Sequence, residues 1–212
     1  MTRKLKNLQT IHDSKIIAII RAKDSNELLK AVEALSEGGV KVIEVSMNTP
    51  NALRVIEAAA ARFRNDAVLG VGTVLDPATA RQAIDAGAEL VVAPVFNPEV
   101  VELCRRYSCV VIPGALTPTE ILAAWQAGAD LVKVFPTVPF GPPYIKAVKQ
   151  PLPQVDLVAV GGVELENAAE FIKAGCAAVG VGSSLVNNTM LGKGDWAGLR
   201  QRAAEFVAAC SG

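Results

Sequence analysis

Eight short runs decide the fold: IIAIIR (16–21), KVIEVS (41–46), AVLGVG (67–72), ELVVAP (89–94), CVVIPG (109–114), DLVKVF (130–135), DLVAVGG (156–162) and AAVGVG (177–182). They begin 20–26 residues apart, room for one strand, one helix and two short loops. Several are apolar at consecutive positions, the pattern of a strand covered on both faces. Between them lie Ala-rich amphipathic stretches. Asp24, Asp76 and Thr117 stand where N-caps belong. The stretches end in Gly38-Gly39, Ala86-Gly87-Ala88, Ala127-Gly128-Ala129 and Ala174-Gly175, where glycine supplies a left-handed C-terminal residue. Eight such units predict an α/β fold, a closed (β/α)8 TIM barrel. The rival, an open doubly wound sheet, wants a glycine-rich first turn, and Arg21-Ala22-Lys23-Asp24 has none. Residues 1–14 read as an additional N-terminal helix and 194–210 as the last helix. No linker divides the chain, so 1–212 is expected to be one domain.

Composition narrows the function classes. The 212 residues carry 21 basic and 21 acidic side chains. A zero net charge gives no field to attract nucleic acid or a membrane surface. Aromatics are only 5 % of the chain, which disfavours an aromatic binding platform. His12 is the only histidine, and Cys104, Cys109, Cys176 and Cys210 include no CxxC pair. A zinc site, a disulfide framework and most histidine-dependent nucleophilic mechanisms are therefore not expected. The apolar run Ile16–Ile20 is too short for a signal-peptide core, and no run reaches membrane-spanning length. The expectation is a soluble, cytoplasmic protein with no metal and no cofactor.

Charges inside strands are the next signal. Lys15, Lys41, Glu89, Asp130 and Asp156 open their runs, where solvent is expected. Glu44 and Lys133 do not: each is the fourth residue of its run. Alternation groups Val42, Glu44 and Ser46 on one face, and Leu131, Lys133 and Phe135 on one face. Facing inward, an ammonium and a carboxylate would share the barrel interior, either as a packing ion pair or as a Schiff-base lysine with its acid/base. A free lysine is only about 0.04 % neutral amine at pH 7, and burial raises that fraction. Lys146 and Lys149 read instead as a solvated helix face. Arg21 closes the first strand. Gly161-Gly162 follows strand seven, and Gly182-Ser183-Ser184 follows strand eight and opens a helical stretch. Loops in those positions bind phosphate in such barrels, although both also read as tight turns. Gly70-Val71-Gly72-Thr73 can offer amides and a hydroxyl to a small anion.

With these residues placed, the chain resembles the 2-keto-3-deoxy-6-phosphogluconate (KDPG) and 4-hydroxy-2-oxoglutarate aldolase family across about residues 12–208. The phrases that carry the resemblance are GGVKVIEVSMNTP, GVGTVLDP, AGAELVVAP, IPGALTPTE, LVKVFP, FGPPYIKAVK, VAVGGV and GVGSSLV. The family comprises metal-free class I aldolases that are trimers of (β/α)8 barrels. The resemblance implies Lys133 as Schiff-base lysine and Glu44 as general acid/base. It implies Arg21 and Thr73 near the substrate carboxylate, Pro94 and Phe135 as pocket walls, and Gly161, Gly162, Gly182 and Ser183 around a phosphate. The implied reaction cleaves a 2-keto-3-deoxy-6-phosphoaldonate to pyruvate and glyceraldehyde 3-phosphate. Many gluconate-type members carry arginine and threonine where this chain has Asn48 and Val160. The branch similar to 2-keto-3-deoxy-6-phosphogalactonate aldolase has asparagine and valine there, and shares a phrase like FGPPYIKA. The alternatives are 4-hydroxy-2-oxoglutarate cleavage or oxaloacetate decarboxylation by the same lysine, a non-covalent phosphosugar isomerase or epimerase, and a catalytically silent subunit.

Overall fold

The computed structural model describes residues 1–21 and 25–211. Its strands are β1 (Ile16–Ile20), β2 (Val42–Ser46), β3 (Val68–Gly72), β4 (Leu90–Val92), β5 (Val110–Ile112), β6 (Gly114–Ala115), β7 (Val132–Val134), β8 (Leu157–Val160) and β9 (Cys176–Val181). All pair in parallel, in the order β5-β4-β3-β2-β1-β9-β8-β7-β6. The two ends of that order are one run of chain. Pro113, which has no N–H to donate, separates β5 from β6. Its carbonyl accepts from Lys133 N at 2.9 Å, and Val111 O accepts from Asp130 N at 3.1 Å. The Asp130 carboxylate also accepts from Val111 N at 2.9 Å. The fifth run thus pairs with β4 on one side and β7 on the other, and the eight expected runs close as a barrel.

Strand alternation divides the apolar residues into two layers. Ile17, Ile19, Val42, Leu90, Val92, Val110, Ile112, Leu131, Val158 and Val160 fill the barrel interior. Ile16, Ala18, Ile20, Ile43, Val45, Val111, Val132 and Val134 face the surrounding helices. This two-sided burial is why the runs show no polar alternation. The helices are α1 (Arg3–Ser14), α2 (Ser25–Glu37), α3 (Ala52–Phe63), α4 (Pro77–Asp85), α5 (Pro98–Arg106), α6 (Pro118–Gln126), α7 (Gly141–Lys149), α8 (Ala168–Lys173), α9 (Asn188–Lys193) and α10 (Trp196–Ser211). Asp76 caps α4, accepting from Thr79 N at 2.8 Å, and Thr117 forms a capping box with Glu120 on α6. Hydrogen bonds from the Thr79 backbone and hydroxyl hold the Asp76 carboxyl below the usual range. Gly39, Gly87, Gly128 and Gly175 all have φ between +93° and +109°. The expected cap at Asp24 lies outside the described residues.

Two expectations change. The acids that open strands are expected to face solvent, but α1 lies across that end of the barrel and takes them as partners. Ile11 is fully buried against the inner layer, with Leu8 packed beside it. Arg3 and Asn7 reach the Glu89 carboxylate at 2.9 and 3.0 Å, and Lys4 reaches Asp130 at 2.8 Å. His12 lies 3.5 Å from Asp156. The N-terminal helix is thus a plug in the bottom of the barrel. Second, Gly182-Ser183-Ser184 does not open a helix. Leu185 N and Val186 N both bond to Gly182 O, closing one turn, and α9 begins only at Asn188 with Asn187 as its cap. Among the described residues, no helix is long and apolar enough to cross a membrane.

Candidate active site

Glu44 lies in the middle of β2 and Lys133 in the middle of β7, both pointing into the barrel. Only 2 % of Glu44 and 5 % of Lys133 is exposed. They do not form an ion pair within 4 Å. Among the described residues neither head group has a hydrogen-bond partner, yet neither counts as an unpartnered buried atom. Neither side chain is among the residues that line the cavity at the mouth of the barrel, although Phe135, against which the Lys133 amine lies, is one of them. That geometry is not the tight ion pair a packing role requires.

Burial pushes the Lys133 amine below its ordinary value. The Glu44 charge opposes that shift and the Arg21 charge adds to it. Burial likewise raises the Glu44 carboxyl, against the lowering charges of Lys133 and Arg21. Each group is driven towards its neutral form, in which an amine is able to act as a nucleophile and a carboxyl as a proton donor. The Lys133 Nζ also lies 4.8 Å from the centroid of the Phe135 ring. That face favours the ammonium while it persists.

The end of β3 is shaped around Glu44. A Cβ on Gly72 would stand 1.5 Å from Glu44 Oε1 and 2.3 Å from its Cδ. The carboxylate rests directly on the Gly72 backbone. The next residue, Thr73, has φ +63°, an unusual conformation for a β-branched side chain and one that marks functional sites. Its hydroxyl and that of the fully buried Ser46 share a hydrogen bond of 3.0 Å. Alternation alone puts Ser46 on the Glu44 face without assigning it a role, and the sequence offers Gly72 only as an amide donor. Neither contact is local in sequence, so no motif within β2 or β3 announces it. We expect Gly72→Ala to fold and to lose about 10²-fold in turnover, because a misplacement of roughly 1 Å costs that much. Kinetics beside a thermal melt would check this, and unchanged turnover would refute it.

The mouth holds a cavity of about 480 Å³, open to solvent, with Phe135 as one wall. Arg21, Phe135, Gly161, Gly162, Gly182 and Ser183 all line it, so six of the expected site residues meet in one place. Gly161 and Gly162 have φ of +89° and +78°. A Cβ on Gly182 would meet nothing within 4 Å, because the space beside it is the cavity itself. Among the described residues, the N–H groups of Gly161, Gly162, Gly182 and Ser183 have no acceptor. Four amides without acceptors around a hollow are able to receive an anion. Pro94 is placed differently. It lines a neighbouring recess of about 590 Å³, and Phe135 is the wall the two hollows share. Val160 lines the glycine cavity, whereas Asn48 is an exposed turn residue after β2. Among the described residues, no group of three or more His, Cys, Asp or Glu side chains could hold a metal ion.

A barrel with an inward lysine, an inward carboxylate and an amide-lined anion pocket has the parts of a carbon–carbon lyase. Comparison with known proteins agrees. The family model described as "KDPG and KHG aldolase" matches residues 8–202. The 2-dehydro-3-deoxy-6-phosphogalactonate aldolase of Escherichia coli (strain K12) is 40 % identical over 171 residues, covering 80 % of this chain and 83 % of that protein. A solved structure described as "Native KDPGal structure" superposes with a TM-score of 0.86 at 37 % identity, covering 92 % of this chain and 93 % of the other. A KDPG aldolase from Legionella pneumophila, with pyruvate captured as a covalent carbinolamine intermediate, superposes with a TM-score of 0.84 at 26 % identity, covering 99 % and 97 %. The chain belongs to the KDPG and KHG aldolase family, and its activity is that of an aldolase, a carbon–carbon lyase.

Proposed function

We propose that this chain is a class I aldolase that cleaves a 2-keto-3-deoxy-6-phosphoaldonate to pyruvate and glyceraldehyde 3-phosphate. The observation that carries the reading is the buried Lys133 amine, pushed towards its neutral form, free of an ion pair with the inward Glu44 and set against Phe135 at the cavity wall. Lys133 adds to the C2 ketone to give a carbinolamine, which loses water to form an iminium. Glu44, directly or through a water, moves the protons of that step and then takes the C4 hydroxyl proton. The C3–C4 bond breaks, its electron pair flows into the iminium, and the aldehyde departs. The resulting enamine is protonated at C3. Water then hydrolyses the new iminium, releasing pyruvate and the free amine. The iminium is itself the electron sink, so the reaction calls for no metal or organic cofactor.

Arg21 is close enough to act on both reactive groups by its charge, which suits it to hold the carboxylate beside C2. Thr73, at the end of β3, supplies a hydroxyl to the same group. Gly161, Gly162, Gly182 and Ser183 take the phosphate, and Phe135 with Pro94 walls the carbon chain. Val160 in the cavity and Asn48 in the turn favour the galactonate epimer, in keeping with the E. coli relative. The family description also supports 4-hydroxy-2-oxoglutarate as a substrate of the same lysine.

The assembly we propose is a homotrimer. Leu75, Val95, Val138 and Phe140, between 46 % and 69 % exposed, supply apolar surface for subunit contact. Light scattering should return three times the 22.2 kDa of one chain. The four cysteines are buried free thiols, which fits a reducing cytoplasm.

The first test is incubation with pyruvate and borohydride, followed by peptide mass mapping. A reduced adduct on Lys133 is expected. No adduct in a folded protein would remove the imine and leave a non-covalent phosphosugar enzyme.

A further inference from the structure

Thr137 follows β7 two residues after Phe135. It is only 1 % exposed and contributes nothing to the walls of the glycine cavity. All its polar atoms are nevertheless engaged there or beside it. Its N–H donates to Val160 O at 3.0 Å. Its hydroxyl lies 3.2 Å from Val160 O and makes a short hydrogen bond to Gly161 O. Its carbonyl accepts from Phe140 N and Gly141 N at the start of α7.

The two carbonyls it holds belong to consecutive peptide planes. In a trans peptide the C=O and the following N–H point in opposite directions. Holding Val160 O towards Thr137 turns the Gly161 N–H away from it. Holding Gly161 O does the same for the Gly162 N–H. Both residues line the cavity, and both N–H groups lack an acceptor among the described residues. Consecutive glycines at φ +89° and +78° have little conformational preference of their own, so an outside anchor is needed to aim them. Val138 packs against the same turn: a Cβ on Gly162 would come within 2.9 Å of its Cγ2.

We infer that Thr137 is a positioning residue whose buried hydroxyl aims the Gly161 and Gly162 amides at the substrate phosphate. The inference rests on the reading of this turn as the phosphate site. It ties the phosphate receptor to the strand that carries Lys133. A phosphate seated on the turn is thereby held in register with the imine carbon.

The test compares the wild type with Thr137→Val and Thr137→Ser. Three quantities are read: KM and kcat for the phosphorylated keto-acid, Ki for inorganic phosphate as a competitor, and the rate of borohydride trapping with pyruvate, which carries no phosphate. In Thr137→Val, KM and Ki should rise about tenfold, the usual weight of one hydrogen bond, while trapping stays within about twofold. Thr137→Ser should restore both constants. Unchanged Ki in Thr137→Val, or a trapping rate that falls in parallel with the rise in KM, would overturn the inference while leaving the phosphate site standing. Failure of inorganic phosphate to compete in the wild type would instead remove the phosphate reading, and the inference with it. Should Thr137→Val not fold, Thr137→Ala supplies the same comparison.

Discussion

Lys133→Met should form no imine and lose at least about 10⁴-fold in turnover while keeping its fold. The size follows from the role: a covalent nucleophile has no substitute in the site, and what survives is binding and orientation alone. Methionine conserves the length of the side chain and removes the amine. The same variant makes a stability prediction whose sign comes from the charges. Lys133 holds the Glu44 carboxyl down against the upward push of burial. Without that charge the Glu44 carboxyl rises further above its ordinary 4.5. A carboxyl raised in the folded state adds stability below its unfolded value and loses it as pH rises through the folded one. Below that window the variant buries neither an ammonium nor a carboxylate. Above it, the variant must ionise an uncompensated carboxylate. Its melting temperature relative to the wild type should therefore be more favourable at pH 5 than at pH 8. Adding Glu44→Gln should flatten that dependence. Substantial turnover by folded Lys133→Met would end the assignment.

Much of this was legible because the fold writes itself in short local signals. KVIEVS and DLVKVF read as strands from their β-branched residues, and the structure starts both within two residues of the expected place. The same alternation put Glu44 and Lys133 inside. Capping boxes and helix-ending glycines are equally local, as Thr117 and Gly128 show. The bottom plug was not legible. Ile11 and Leu8 sit in a charged segment that reads as a polar lead-in, and Arg3 meets Glu89 across 86 residues of sequence. Gly182-Ser183-Ser184 resembled a helix start because one helical turn does form there. Asn187 then restarts the chain in an extended conformation before α9. Thr73 could be named as a donor, but its left-handed backbone depends on β2 supplying Ser46. Thr137 stood in a Pro-rich stretch without any pattern, since its partners lie on another strand. Pro94 was foreseen as a wall, and only packing shows that its recess lies across Phe135 from the glycine cavity.

The second large effect belongs to Glu44→Gln, for which carbon–carbon cleavage should fall by about 10²–10⁴-fold, the range for loss of a general acid/base. Glutamine fills the same space over Gly72 and can still hydrogen-bond, so binding should change less than kcat. What it cannot do is take the C4 hydroxyl proton or return it. The imine should survive, because the proposed nucleophile, Lys133, is a different residue. Glu44 is the charge that holds the Lys133 amine up against burial and Arg21. Its removal drives the amine further below 10.5 and enlarges the neutral fraction at any pH below that value. The pH profile of borohydride trapping with pyruvate should therefore shift towards lower pH in the variant, even as cleavage collapses. A merely structural Glu44 predicts the opposite pairing: cleavage and trapping would change together and the profile would keep its position. Measuring both on one folded preparation separates the two roles. Wild-type cleavage by Glu44→Gln would move the proton transfer to a different group, and the hydroxyl pair of Ser46 and Thr73 is the polar neighbour nearest in the strand register.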